Sequence, residues 1–213
     1  MADQHKKFQT KTSTPIPRNA SIYRQEKARL TIKGMIVAIL PDKIEAKIKY
    51  GRTYIKHSYT SNYKYNASNG KVTKATVYIK IQVTIQTAYG KGVNKLSLSA
   101  YGRGTTKADR KSSKTSTLRF HEGQHGADYL QYMRTHTPPL FKKPKRGLTE
   151  TEWKKTYENN IEKFADKLDK YFEEVRKYSN KKTHCVGITI DQYHKDNHHH
   201  KLQCSPHSSS KRL

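Results

Sequence analysis

A chain of 213 residues suffices for one domain with tails, and a hydrophobic content of 33% points to a modest core. With 43 Lys and Arg against 17 Asp and Glu the formal net charge is +26, which favours anionic partners: an anionic surface or polymer, or an acidic protein. Nucleic acid ranks lower, because the basic residues are spread along the chain rather than gathered on one element. No run is apolar enough to span a bilayer. The polar, basic opening MADQHKKFQTKTSTPIPRNA has no apolar signal-peptide core, so a cytoplasmic chain, or one exported without a cleaved leader, is expected.

Residues 1–22 read as a disordered basic tail, and 196–213, rich in His, Ser and Lys, as a second. The adjacent His198, His199 and His200 read as tail composition rather than a site. Between the tails, 23–195 reads as a single domain whose sheet-rich part spans 29–101. LTIKGMIVAIL is continuously apolar up to Pro41, and IEAKIKY puts Ile44, Ala46, Ile48 and Tyr50 on one face. The tyrosines of TYIKHSYTSNYKYN suit solvated strands, NASNG at 66–70 suits a hairpin turn, and VYIKIQVTI alternates strictly. KLSLSAY is a weaker last strand, which makes about four or five in an antiparallel sheet.

GRGTTKADRKSS has a linker's composition, after which the period turns helical over 113–179. A first helix is expected from about Ser113 to Thr135, ahead of Pro138 and Pro139. A second opens at Thr149 with a capping box to Glu152. Its apolar residues from Trp153 to Tyr178 recur in steps of three and four. The connection is short enough to predict antiparallel packing. The return segment, 183–194, reads as extended. Cys185 and Cys204 could close a C-terminal loop in an oxidising compartment.

The first helix holds His121-Glu122-Gly123-Gln124-His125, an H-E-x-x-H pattern. Residues four apart share a helix face, so His121 and His125 can bind one zinc ion together. Glu122, turned by one residue, can act as general base toward a water that the ion acidifies. Random placement of this chain's His and Glu produces the pattern in about 2 of 100 chains, and its position inside an amphipathic helix argues further against chance. Gly123 and Gly126 each cost roughly 1 kcal/mol there relative to Ala. A close approach by substrate or metal would explain them.

The third ligand is open. Glu162 and Asp166 on the second helix could complete the site from an antiparallel partner, although Glu158, Glu162, Asp166, Asp169 and Glu173 also form an acidic stripe of the solvated kind. Asp128 lies one turn beyond His125 and is better placed to orient a histidine. ITIDQYH offers Asp191 and His194, with Tyr193 beside them as a possible oxyanion donor. In its order, a sheet-rich segment, an H-E-x-x-H helix, a second helix and a downstream Asp and His, the chain resembles a bacterial family of predicted zinc-dependent proteases over roughly residues 75–195. No Thr-x-His-Gly follows the aspartate, a departure from the family form. The resemblance implies His194 as third ligand; Glu162, from the second helix, is the runner-up.

The expectation is therefore an α+β, zincin-like fold, with an antiparallel sheet followed by an antiparallel helix pair. His121, His125 and His194 would hold Zn2+, and Glu122 would serve as base. The implied activity is a zinc metallopeptidase acting on protein or cell-wall peptide, in one variant an effector or toxin. The rival from another class is a non-catalytic basic module, binding nucleic acid or an anionic polymer, whose helix histidines are structural.

Overall fold

The computed structural model describes residues 8–9 and 28–188. Six strands form one sheet: β1 (Phe8–Gln9), β2 (Ala28–Ile32), β3 (Met35–Ile39), β4 (Lys43–Ile44), β5 (Gly51–Ser68) and β6 (Lys71–Tyr89). Two helices follow, α1 (Leu118–Thr135) and α2 (Glu150–His184). The chain is α+β, as expected, but the sheet is mixed. Its order is β1-β5-β6-β3-β2, with β3 and β4 both parallel to β6. A period-two pattern states which face is buried, not which neighbour a strand pairs with, so parallel pairing was invisible in it.

The long β5–β6 hairpin turns at Asn69 and Gly70, both with positive φ, in the NASNG segment that carried turn chemistry. A second such turn, at Lys33 and Gly34, splits LTIKGMIVAIL into β2 and β3 instead of one strand. IEAKIKY is also corrected. Only Lys43–Ile44 is strand, and the chain then turns with the Ile48 amide donating to the Glu45 carbonyl at 3.1 Å. KLSLSAY forms no strand, only an isolated bridge between Leu98 and Thr117. Phe8–Gln9 is strand where a tail was expected; the remaining tail residues, 1–7, 10–22 and 196–213, lie outside the described residues.

One face of the sheet carries the core. Ile55, Tyr59, Val83 and Ile85 point inward and meet Tyr129 and Met133 of α1 and Phe164, Leu168 and Phe172 of α2. The tyrosines are less solvated than expected. Tyr59, Tyr63 and Tyr65 are buried, and the last two form a separate cluster with Trp153 and Tyr157. Both helices are capped by threonine. Thr117 accepts the Phe120 amide, and Thr149 forms the expected capping box with Glu152. The segment 113–116, expected to be helical, is turn and bend ahead of that cap.

The helices run antiparallel, as the pairings of His125 with Ser179 and of Tyr132 with Tyr171 require. Their connection is not a tight turn, however. Residues 136–149 travel back along the hairpin, where the Gly147 amide bonds the Val72 carbonyl and Lys143 Nζ bonds the Ala75 carbonyl. The start of α2 is thereby carried to the far end of the sheet. Its 35 residues, about 52 Å long, return the whole way, so its last turn ends beside the middle of α1.

Candidate metal centre

α1 carries its chemistry on its buried face. His121, Glu122, His125, Asp128 and Tyr129 all point inward, toward the sheet and α2. The third member of the cluster is His184, in the last turn of α2. Ligand-capable atoms of His121, His125 and His184 all lie within 4.8 Å of one another, and Nε2 of His125 is 2.8 Å from Nε2 of His184. These three histidines can hold a metal ion.

Their hydrogen bonds fit that reading. His121 Nδ1 donates to the Arg103 carbonyl at 2.9 Å, which fixes the tautomer with a lone pair on Nε2. That Nε2 is buried and has no hydrogen-bond partner among the described residues. His125 Nδ1 is held by Ser179 Oγ at 2.8 Å, so its Nε2 also faces inward. A tetrahedral ion at about 2.0–2.1 Å from each nitrogen needs them roughly 3.3 Å apart, within the span the three rings occupy. Burial lowers the proton affinity of His121. It lowers that of His125 well below the usual range, with His184 and His121 adding to the effect. His184 is pushed down to about 3, by burial first and by His121 second. Neutral imidazoles are the form in which histidine ligates.

Asp128 does not join the cluster. It accepts from Thr183 Oγ1 at 2.8 Å, tying α1 to the last turn of α2 next to His184. The segment 102–113, with a linker's composition, forms part of the wall of the site. Buried Asp109 accepts from the Gly104 and Thr106 amides, and the Arg103 amide donates to the Thr183 carbonyl at 2.7 Å. That folding presents the Arg103 carbonyl to His121.

Glu122 is buried against β5. Thr53 Oγ1 lies 2.9 Å from Glu122 Oε2 and equally close to the Glu122 carbonyl, while Tyr129 donates to the Thr53 carbonyl at 3.2 Å. Burial pushes the Glu122 carboxyl up to about 7, against the pull of the Thr53 bonds and the Arg52 charge. A carboxyl so placed can take and return a proton near neutrality.

A Cβ on Gly123 would meet nothing within 4 Å, and one on Gly126 only Ile85 at ordinary contact, so no described protein neighbour requires either glycine; two others stand closer to the chemistry. A Cβ on Gly51 would lie 2.8 Å from Glu122 Cγ. One on Gly102, at φ +63°, would meet the Thr183 carbonyl and stand 3.2 Å from the His121 ring.

Of the expected ligands, His121 and His125 converge. Glu162 does not: it is exposed on α2, 22 residues before His184 and so roughly 33 Å along the helix axis. The expected register assumed a tight turn between the helices, which the 136–149 segment replaces. From the same acidic stripe, Asp169 holds buried His57 at 2.9 Å, and Glu173 pairs with Lys177. His194, Asp191 and Tyr193 lie outside the described residues, as does Cys204; Cys185 is buried and disulfide-bonded. The signal for His184 was present in the sequence. Tyr178 continues to Lys181, Lys182 and His184 with no helix breaker, and basic residues suit a helix C-terminus. Reading an extended segment from 183 hid it.

A cleft of about 730 Å³ opens onto the cluster, bounded on one side by residues 47–53 and on the other by 97–101. Among the described residues no helix is long and apolar enough to cross a membrane. Compared with known proteins, the chain matches no family model, no curated protein and no solved structure. Fold and site together define an α+β chain with a three-histidine cluster, two of its rings buried and the third half-buried, able to hold a metal, beside a buried glutamate at the foot of an open cleft.

Proposed function

We propose that this protein is a zinc-dependent hydrolase of amide bonds, with His121, His125 and His184 as ligands and Glu122 as general base. The observation that carries the reading is the placing of Glu122. It is a buried carboxyl held by Thr53 Oγ1 at 2.9 Å, in the helical turn that holds two of three converging imidazoles. Among the described residues three protein ligands leave a fourth position open, which distinguishes catalytic from structural zinc sites. When bound, the ion supplies Lewis acidity toward a carbonyl and lowers the pKa of a water.

The rest of the chemistry belongs to the chain. Thr53 orients the Glu122 carboxyl, which accepts the water's proton and can return it to the leaving amine. Tyr129 stays protonated, since burial and the Glu122 charge push its phenol up, and it braces Thr53. Ser179 and the Arg103 carbonyl hold two ligand rings in orientation. The cleft beside the cluster, about 730 Å³ and open along residues 47–53, has room for an extended peptide, and this favours peptides over small amides.

The test is metal content and turnover of the untagged protein. Wild type is expected to hold about one equivalent of zinc at neutral pH and to hydrolyse a peptide mixture. Glu122→Gln should keep the metal and lose at least about 10²-fold in turnover. Less than a tenth of an equivalent in wild type, or equal turnover in Glu122→Gln, would overturn the reading in favour of a non-catalytic module.

A further inference from the structure

The cleft has a one-sided charge. Lys47, Lys49 and Arg52 line it and are exposed, while the only carboxylate among its described lining residues, Glu122, is buried at its foot. Lys47 and Lys49 make no ion pair with a carboxylate among the described residues. Lys49 Nζ lies over the Tyr50 ring, 5.4 Å from its centre, and the Arg52 guanidinium over Tyr54. The nearby acids are already engaged: Glu45 with Lys43 at 3.1 Å, Asp109 with two backbone amides, and Asp128 with Thr183. From residue 46 to 108 the sequence holds 12 Lys and Arg and no Asp or Glu, so no acid within this stretch neutralises the rim.

A concave site with low-dielectric walls and one sign of charge focuses its field on what enters. The rim is also apolar. Tyr50 is 49% exposed and Leu98 63%, facing the cleft from its two sides. A bare anion would leave that surface unused, whereas a peptide can offer carboxylates and apolar side chains together.

We propose that the cleft selects peptides bearing acidic side chains beside the scissile amide, with apolar neighbours. This assigns a substrate class to the hydrolase described above and rests on that reading. Lys47 and Lys49 are the specificity-determining residues, and their role is electrostatic and local to the cleft.

The experiment uses two fluorescent peptides alike except for Glu or Lys at two positions flanking one amide. Their affinity is read by anisotropy on zinc-loaded Glu122→Gln protein, and their kcat/KM on zinc-loaded wild type, at low and high salt. The Glu peptide is expected to bind and react about tenfold better, with the advantage shrinking at high salt. Lys47→Glu with Lys49→Glu should abolish or invert the preference. Lys64→Glu with Lys80→Glu, an equal charge change at exposed positions on the hairpin, should leave it intact. Wild-type affinities within twofold of each other, no binding of either peptide, or equal loss in both double variants would overturn the proposal. A binding preference without hydrolysis of either peptide would sustain the cleft's selectivity and sink the hydrolase reading instead.

Discussion

The Nε2 atoms of His125 and His184 stand 2.8 Å apart, although the residues lie on different helices and 59 positions apart in the chain. Two neutral rings at that distance share one proton between their nitrogens or share a cation. The neighbouring Nε2 of His121, buried and without a partner among the described residues, favours the cation.

The ligand set follows directly. His184→Ala should lose zinc by at least about tenfold in affinity, measured by competition with a chromogenic chelator, and His194→Ala should retain it. Ser179→Ala, which releases His125 Nδ1, should weaken binding by about 10–100-fold without changing stoichiometry. Zinc retention in His184→Ala would remove that residue from the site.

Gly51 is the position where a single methyl group should reach the chemistry. In Gly51→Ala the new Cβ lies 2.8 Å from Glu122 Cγ and 2.9 Å from Oε1, so the carboxyl must shift. A displacement of the order of 1 Å can cost about 10²-fold in turnover. Zinc content should be unchanged, since no ligand ring is touched. Wild-type kcat in that variant would show that the Glu122 position is not critical.

Metal-free protein should lose stability on mild acidification. His57, His121, His125 and His184 are all held below the usual histidine range, burial being the first cause for each and Asp169 partly offsetting it at His57. Unfolded, each takes a proton near pH 6.5; folded, each resists. Below that pH unfolding therefore binds protons, so stability is full above about 6.5 and falls as pH drops, by about 1.4 kcal/mol per proton per pH unit. Urea midpoints from pH 8 to 5 in chelator should decline steeply below 6.5. A flat profile would contradict neutral burial of these rings.

The far end of the molecule should be separable from the site. Trp153 is fully buried among Tyr63, Tyr65 and Tyr157, and Trp153→Ala should cost about 3–5 kcal/mol of unfolding free energy. Protein that remains folded should still bind one zinc, which mass spectrometry under native conditions would report. Loss of zinc from folded protein would mean that the α2 ends are more tightly coupled than their separation along the helix suggests.

What could be read without coordinates was local. The four-residue step from His121 to His125 puts both rings on one helix face whatever surrounds it. The Thr149–Glu152 capping box, the three-and-four periodicity of α2 and the Asn69–Gly70 turn depend only on neighbours a few residues away, and each is present as expected. What depended on distant partners was not readable. The parallel pairing of β3 with β6 rests on backbone groups that every residue type shares. The third ligand depended on three long-range facts: the path of 136–149 along the hairpin, the length of α2 and the antiparallel packing that returns its last turn to α1. Only the folded chain brings His184, and not Glu162, to His125, because the register between two helices is set by the packing of their whole buried faces and not by any short pattern in either.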